Sequence, residues 1–198
     1  MTDLIIAVLE HLMITISGVA LATLLGLTIG IFISKKPGFA NIVMAVADII
    51  QTIPTLALLA LLMVVFGLGN TTVIIGLCLY SLLPVIRNTY TGITGVSPAI
   101  KEASRGMGMS PLQSLAKVEI PLAIPMILSG IRIAFVTALG TAVIGVLIGS
   151  GGLGYIIYSG IQSQDWGMIL KGTVPVVALS LIVQFMFNKF QVMKKGGN

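Results

Sequence analysis

Charged residues are scarce in this chain of 198 residues: they make up 9% of it, against 57% for hydrophobic residues. Soluble globular domains carry about 25% charged residues. A soluble domain of this size has too much surface relative to its volume to hide so many apolar side chains. The composition, with a mean hydropathy of +1.11, therefore excludes a soluble fold and predicts an integral membrane protein.

Chemically reactive side chains are also rare. The single cysteine, Cys78, lies in an apolar run and has no partner for an intrachain disulfide. The single histidine, His11, provides neither a metal cluster nor a Ser-His-Asp triad, and we expect it to be a polar residue at the membrane interface. The phosphate-binding pattern G-x-x-x-x-G-K-S/T is missing as well. We therefore predict a protein that is not an enzyme and that holds no metal and no cofactor of its own.

Long apolar runs are the main feature that is present. Five of them approach the roughly 20 residues that a helix needs to cross the hydrocarbon core of a bilayer. They cover residues 12–34, 42–66, 71–86, 130–149 and 172–188. The second contains Asp48 and Pro54, and we expect the third to stop before Arg87. The sequence thus predicts one all-α membrane domain over residues 1–198, with about five transmembrane helices.

Basic residues indicate which ends of these spans face the cytoplasm. Most of them fall on one side if the spans alternate: Lys35, Lys36, Arg87, Lys101, Arg105, Lys117, Lys189, Lys194 and Lys195. The positive-inside rule assigns that side to the cytoplasm, which places the N-terminus outside and the C-terminus inside. Arg132 is expected near the inner edge of the fourth span, with its side chain reaching the headgroups. The basic residues are interpreted as topology signals, and no nucleic-acid partner is predicted.

The N-terminal segment MTDLIIAVLEHL contains Asp3 and Glu10 but no basic residue. A cleaved signal peptide begins with positive charge. We therefore expect this segment to remain in the mature protein.

The one long polar stretch, residues 97–121, contains two helix-start patterns. Ser97-Pro98 and Ser110-Pro111 each place a capping residue before a proline at the first helical position. Gln113, three residues after Ser110, completes a capping box. These signals predict one short helix over 98–107 and a second over 111–118.

The two short helices are expected to meet at a corner, because Gly106 and Gly108 favour the left-handed backbone that ends a helix. Pro121 and Pro125 are expected to redirect the chain towards the fourth span. The apolar side chains exposed at the corner are expected to be Met107, Met109 and Leu112. We interpret this elbow as an insert for the groove of a cytoplasmic partner. The alternative is a connector that packs only on its own protein.

The same stretch resembles the EAA motif of permease subunits of binding-protein-dependent ABC importers. That motif is Glu-Ala-Ala, three residues, Gly, nine residues, Ile, one residue, Leu-Pro. The matching residues here are Glu102-Ala103-Ser104, Gly108, Val118, Ile120 and Pro121, with conservative departures at Ser104, Val118 and Ile120. The resemblance implies the type I ABC importer permease fold and a coupling helix that docks on an ATPase subunit. The residues assigned to this coupling role are Glu102, Ala103, Met107, Gly108, Met109 and Pro121.

Three further segments narrow the resemblance: IIQTIPTLALLALL at 49–62, YSLLPVIRNTYTGI at 80–93 and GTAVIGVLIGSGGLG at 140–154. They resemble permeases of the osmoprotectant branch, which import glycine betaine, carnitine, choline or proline betaine. This implies a protein of the bacterial cytoplasmic membrane with three kinds of partner. They are ABC ATPase subunits that hold ATP and Mg²⁺, a second permease chain that is identical or paralogous, and an extracytoplasmic binding protein. The alternatives are a permease for methionine or another amino acid, a transporter or channel that needs no ATP, and a non-transporting scaffold.

Polar residues inside the second span are the candidates for the translocation path. Asp48 is the only acidic residue within a predicted span, and charges inside membranes usually face a cavity or a partner. Gln51 and Thr52 follow on the same helix face, and Pro54 weakens the helix and frees backbone carbonyls. On this hypothesis Asp48 favours a cationic headgroup. The alternative is a polar cluster that ties the second span to a neighbouring helix.

A glycine-rich segment over 149–154 lies at the outer end of the fourth span. So many glycines do not hold a rigid helix, and they suit a bent or re-entrant segment shielded by protein; the alternative is a plain flexible turn. By the resemblance this segment lies near the external mouth, where the candidate residues are Gly151, Gly152, Gly154 and Tyr155. The nearby aromatic residues Tyr155, Tyr158 and Trp166 suit either a cation–π cage or an interfacial aromatic belt.

Overall fold

The computed structural model describes residues 2–195, with side chains for residues 3–189. Within that range the chain is helical and contains no β-strand, as expected where lipid offers no hydrogen-bonding partner to the backbone. The helices are α1 (Thr2–Lys35), α2 (Pro37–Thr52), α3 (Thr55–Phe66), α4 (Asn70–Thr94), α5 (Pro98–Gly106), α6 (Pro111–Ser114), α7 (Ile120–Ala142), α8 (Leu153–Gln162) and α9 (Trp166–Lys195). A π-helical segment (Leu115–Glu119) precedes α7, and a 3-10 segment (Val143–Ile148) follows it. The side chains of Lys194 and Lys195, counted above as topology signals, lie outside the described part.

The number of spans agrees with the prediction if the bent pair α2–α3 counts as one. α1, α4, the stretch Pro111–Ile148 and the first part of α9 are each long and apolar enough to cross a bilayer. α2 and α3 are bent by 98°, so the prediction of one continuous second span is wrong. The cause is Pro54, which has no N–H and disfavours helical backbone in the preceding residue. Ile53 is accordingly extended, with ψ 126°.

α1, α4 and α7 form the centre of the bundle, and small residues bring their backbones together. A Cβ added at Gly26 of α1 would lie 2.8 Å from Val85 Cβ, and one at Gly30 would lie 2.7 Å from Thr89 Cβ. Gly130 of α7 approaches the Pro84 carbonyl of α4 in the same way. Since lipid tails are as apolar as these helices, close packing of this kind contributes much of their association.

The bundle has two chemically different ends. At one end Lys35 reaches Glu119, which follows the elbow formed by α5 and α6; we name this the elbow end. At the other end Glu10 contacts Gly152 in the glycine-rich segment; we name this the glycine end. The helix from Glu10 to Lys35 is about 37 Å long at 1.5 Å per residue, enough to cross a hydrocarbon core of about 30 Å.

α4 does not stop before Arg87, as the sequence predicted, but continues to Thr94. The charge inside this helix has a partner on the neighbouring one, because Arg87 pairs with Asp48 of α2. A paired charge is far less costly inside a membrane span than an isolated one. Arg87 is therefore part of α4 and is not a loop residue that reports topology.

The fourth span begins well before residue 130, because Pro121 and Pro125 do not redirect the chain. Pro121 lies near the start of α7 and Pro125 lies inside it, and the backbone stays helical at both. The wider π turn before it lets the N–H of Ile120 bond to the carbonyl of Leu115. Helical structure therefore continues from Pro111 to Ile148, and the elbow leads straight into the membrane.

Arg132 has a polar partner that the sequence analysis did not identify. It lies about 20 Å along the helix from Glu119, and its guanidinium donates to Asn188 Oδ1 on α9. An arginine within a span requires such a partner. The position of Arg132 at the inner edge of the fourth span stays a prediction.

His11 is buried against α7 and is not an interfacial residue. It is 1% exposed, and its Nε2 lies 3.0 Å from the carbonyl oxygen of Leu139. The prediction failed because α1 begins at Thr2, well before residue 12, so that His11 lies within a packed helix.

Candidate functional site

The elbow consists of α5 and α6 with a left-handed corner between them. Gly108 has a φ of +79°, a conformation that residues with a Cβ rarely adopt. The N–H of Gly108 bonds to the Arg105 carbonyl at 2.9 Å, and that of Met109 bonds to the Ser104 carbonyl at 3.1 Å. Among the described residues, nothing lies within 4 Å of a Cβ added at Gly108. Glycine is therefore required here for its backbone conformation and not for space.

The predicted capping box at the start of α6 is confirmed. The N–H of Ser110 donates to Gln113 Oε1 at 2.9 Å, and the N–H of Gln113 donates to Ser110 Oγ at 3.3 Å. Ser97 occupies the N-cap position of α5, but within the described structure its side chain makes no capping hydrogen bond. α6 ends at Ser114, where the π segment takes over, so the second helix is not the separate unit ending near Val118 that the sequence predicted.

One side of the elbow presents apolar side chains to the surroundings. Met107 and Leu112 are 70% and 74% exposed, whereas Met109 is only partly exposed. The other residues assigned to coupling that are exposed are Glu102, Ala103, Gly108 and Pro121. Exposed methionine and leucine side chains are typical of adaptable docking surfaces. A role in ATPase coupling stays a prediction for these residues.

The opposite side of the elbow is anchored by a buried carboxylate. Glu119 is 4% exposed, and Lys35 Nζ donates to both of its oxygens at 2.9 Å. Lys101 Nζ lies 3.9 Å from the same carboxylate, and Ser114 Oγ donates to it at 3.4 Å. Ser104 Oγ lies 2.7 Å from Ser114 Oγ. We name these five residues the Glu119 cluster.

Sequence reasoning missed the Glu119 cluster. It treated Lys35 and Lys101 as topology signals and assigned no role to Glu119. A signal was nevertheless present, because Glu119 is an acid between Val118 and Ile120, in the apolar end of the EAA-like stretch. An acid at such a place needs a cationic partner once the stretch is buried.

The break between α2 and α3 is held by the middle of α4. Tyr80 Oη donates to the carbonyl of Ile53, which the break leaves without a helical partner. Gln51 Nε2 donates to the carbonyl of Tyr80 at 2.8 Å. That carbonyl needs a donor because Pro84, four residues later, has no N–H. Each helix thus satisfies a backbone group that a proline has freed on the other.

Asp48 does not carry a free charge, since its Oδ1 lies 2.6 Å from Arg87 Nη2. Both side chains are about half exposed, at 47% and 52%. A carboxylate paired in this way attracts a cationic headgroup less strongly than an isolated one. Thr52 Oγ1 bonds within its own turn, and Pro54 is exposed at the break. These contacts fit the alternative of a polar cluster that ties α2 to α4. A role in the translocation path stays a prediction for Asp48, Gln51, Thr52 and Pro54.

The glycine-rich segment is bent, as predicted, and side chains hold it in place. Gly149 and Gly152 have φ values of +78° and +80°. Glu10 accepts hydrogen bonds from the N–H of Gly152 at 2.9 Å and from Asn70 Nδ2 at 3.1 Å. Asn70 Oδ1 in turn accepts from Ser150 Oγ at 2.7 Å. The segment is a packed corner between α1, α4 and α8.

A cavity of about 810 Å³ opens at the glycine end, between the start of α1 and the α8–α9 turn. Its charged lining residues are Asp3, Glu10, Asp165 and Lys171. Three carboxylates against one ammonium give this lining a negative net charge. Such a lining raises the local concentration of cations.

The predicted mouth residues lie at this cavity, with one exception. Gly151, Gly152 and Tyr155 line it, whereas Gly154 is buried under the carbonyl of Val143, which leaves no room for a Cβ. Tyr158 and Trp166 are exposed, but among the described lining residues Tyr155 is the only aromatic one. A three-residue aromatic cage around this cavity is therefore not formed.

The architecture defines the class of protein: it is the fold of type I ABC importer permeases. A structure of the MetNI methionine ABC transporter in inward facing conformations matches with a TM-score of 0.88 at 24% identity, covering 98% of this chain and 97% of that one. A crystal structure of an amino acid ABC transporter with histidines matches with a TM-score of 0.74 at 24% identity, covering 97% and 92%. The predicted fold class is confirmed.

The family follows from the sequence. The family described as binding-protein-dependent transport system inner membrane component matches residues 22–191, and the chain belongs to it. The protein is therefore a multi-pass membrane permease component of an ABC importer.

Curated relatives are similar over most of the chain. The glycine betaine/carnitine/choline transport system permease protein OpuCD of Bacillus subtilis (strain 168) is 42% identical over 195 residues, covering 96% of this chain and 85% of its own length. The carnitine transport permease protein OpuCD of Listeria monocytogenes serotype 1/2a (strain 10403S) is 43% identical, covering 87% and 78%. The choline transport system permease protein OpuBD of B. subtilis (strain 168) is 44% identical, covering 87% and 76%.

Proposed function

We propose that this chain is the permease subunit of an ATP-driven importer of osmoprotectants, which are quaternary ammonium solutes such as glycine betaine, carnitine or choline. The observation that carries the proposal is the identity of 42–44% with permeases named for those solutes. For the alternative of methionine, the support is a likeness of fold at 24% identity. The sequence-level prediction of the osmoprotectant branch agrees with these relatives.

The proposal includes three kinds of partner. The family description supports a separate binding protein, which would dock at the glycine end. The exposed apolar side of the elbow supports an ATPase subunit, which would hold ATP and Mg²⁺. The half-exposed Asp48–Arg87 pair supports a second permease chain, identical or paralogous, because charged side chains inside a membrane face a partner or a watery path rather than lipid.

Alternating access follows from how the elbow is joined to the spans. In this proposal the elbow end faces the cytoplasm, and ATP binding closes the ATPase subunits on which Met107 and Leu112 are seated. Since helical structure continues from Pro111 to Ile148, a displaced elbow tilts the central helices as rigid bodies. The solute enters from the binding protein at the glycine-end cavity and passes the α2–α3 break when the bundle opens inwards.

The test is uptake into proteoliposomes that contain this chain with its ATPase, its second permease chain and its binding protein. We expect ATP-dependent uptake of radiolabelled glycine betaine, carnitine or choline, and no uptake when the ATPase is omitted. Equal uptake without the ATPase would establish an ATP-independent transporter. Uptake of methionine with no uptake of quaternary ammonium solutes would overturn the assigned substrate.

A further inference from the structure

The Glu119 cluster joins the elbow to every helix of the central bundle. Lys35 comes from the end of α1, Lys101 from α5, Ser114 from α6, and Glu119 from the π segment that leads into α7. Lys101 Nζ also donates to the carbonyl of Ile93, at the end of α4, at 3.1 Å. One carboxylate therefore lies where α1, α4 and α7 all meet the elbow.

The burial of Glu119 makes these contacts essential. The side chain of Glu119 is 6% exposed, while those of Lys35 and Lys101 are 41% and 25% exposed. A carboxylate withdrawn from water requires charged or hydrogen-bonding partners, and loss of one partner from a buried ion pair is far more disruptive than loss of an exposed pair. The two lysines therefore fix the position of the carboxylate, and with it the end of the π segment.

The π segment interrupts the regular α-helix between the elbow and the span. Such π turns are rare and are frequently found at functional sites within helices. The elbow also has its left-handed corner at Gly108. A force on the elbow would be absorbed at these two points unless a further contact carried it to the neighbouring spans.

We propose that Glu119 is a positioning residue for coupling, which makes the elbow and the end of α1 move as one body when the ATPase displaces the elbow. This inference rests on the proposed function. Lys35 is the group through which the movement reaches α1, and Lys101 keeps the end of α4 in the same unit.

The first experiment measures coupling in proteoliposomes that contain the complete transporter. Glu119→Gln keeps the shape of the side chain and removes its charge, and it should lower the solute transported per ATP hydrolysed by about tenfold while the ATPase still co-purifies. Lys35→Met should cause the same loss, and the double variant no further loss, because both changes remove one contact. Lys35→Arg keeps the charge and should retain coupling.

Lys36→Met is the matched control. Lys36 is the neighbouring lysine, and its Nζ lies 5.3 Å from the centre of the Phe32 ring. Coupling should be unchanged in this variant. A merely structural role of Glu119 would lower thermal stability and the amount of folded protein but leave the ratio of solute to ATP unchanged. That result, or additive losses in the double variant, would overturn the proposal.

The second experiment does not require the solute to be known. The exposed residues Ile100 on α5 and Leu25 on α1 are replaced by cysteines that carry spin labels, in a Cys78→Ser background. The distance between the two labels is then measured in the complex with the ATPase, with and without ATP. The distance between the labels should stay constant in the otherwise unchanged protein and should vary with ATP in Glu119→Gln. An ATP-dependent distance already present without the Glu119 change would overturn the inference, whereas failure of any ATPase to bind would overturn the proposed function itself.

Discussion

The backbone angle of one residue fixes the corner of the elbow. Gly108 has a φ of +79°, and a Cβ there would meet no atom of the described structure within 4 Å. Gly106, two residues earlier, is the last residue of α5 and has the same open surroundings. The two glycines differ in backbone conformation and not in available space, so they form a natural pair for substitution.

Gly108→Ala should destabilise the elbow by about 1–2 kcal/mol, the cost of left-handed backbone for a residue that carries a Cβ. Uptake of the solute should fall with it, because the docking surface would no longer be presented in one conformation. Gly106→Ala adds the same methyl group to a helix and should be neutral or slightly stabilising. Thermal unfolding and uptake of the two purified variants give the comparison; equal effects would contradict the assigned role of φ at Gly108.

Some single residues were predictable from the sequence because their pattern is local. The capping box at Ser110 and the corner at Gly108 depend on a few consecutive residues, and both are confirmed, whereas the side chain of Ser97 makes no capping hydrogen bond within the described structure. His11 was placed wrongly, because its position depends on where its helix begins and on a partner far along the chain. His11 lies 128 residues from its partner Leu139, which no local pattern indicates.

At the scale of helices, the α2–α3 break and the interior of α4 depend on each other. Pro54 breaks one helix, and Pro84 removes a donor from the other. Gln51 and Tyr80 supply the two missing hydrogen bonds across the interface. The Asp48–Arg87 pair reinforces the same contact between α2 and α4.

A double substitution separates the two hypotheses for Asp48. Asp48→Asn alone should lower stability by about 1 kcal/mol, since Arg87 loses its partner in a pair that is about half exposed. Combining it with Arg87→Gln should recover most of that stability, because two neutral amides still form a hydrogen bond. We expect uptake of quaternary ammonium solutes to recover as well, since the contacts fit a pair that ties α2 to α4. Uptake that stays low in a stable double variant would instead support the translocation-path hypothesis.

Helix number was easier to predict than helix ends, for a physical reason. Apolar runs reveal how many spans exist, but an end depends on whether a charge or a proline finds a partner. Arg87 was taken as the end of a span because its partner, Asp48, is 39 residues away. Pro121 was taken as the residue that ends a helix, because proline has no N–H to donate. In the structure the π turn before Pro121 keeps the backbone helical. The elbow was predictable as an outward surface, whereas its anchor at Glu119 depends on a lysine 84 residues away.

At the scale of the whole molecule, charge distinguishes the two ends of the bundle. The elbow end carries five basic residues against two acidic ones, namely Lys35, Lys36, Lys101, Arg105 and Lys117 against Glu102 and Glu119. The cavity at the glycine end has three acidic residues, Asp3, Glu10 and Asp165, against one basic residue, Lys171. Arg87 no longer belongs to this comparison, because it is paired inside α4. The asymmetry still supports a cytoplasmic elbow.

Cysteine labelling tests this orientation. Met107→Cys at the elbow end and Asp165→Cys at the glycine end both introduce an exposed thiol, while the natural Cys78 is buried. In intact cells a membrane-impermeant maleimide should modify Asp165→Cys and leave Met107→Cys unmodified. Inside-out vesicles from cells that lack the ATPase subunit should give the reverse. The opposite pattern would place the N-terminus in the cytoplasm and exclude the elbow as an ATPase contact.

α1 is fastened at two points, through Glu10 to the glycine-rich corner and through its last residue, Lys35, to Glu119. A transmembrane helix that is fastened at one point can adapt to a thinner bilayer by tilting independently of its neighbours. α1 has lost that freedom, because about 37 Å of helix connects two fixed points. Hydrophobic mismatch with the surrounding lipid must therefore be met by the entire subunit, so that bilayer thickness acts on the same rigid body that nucleotide binding moves.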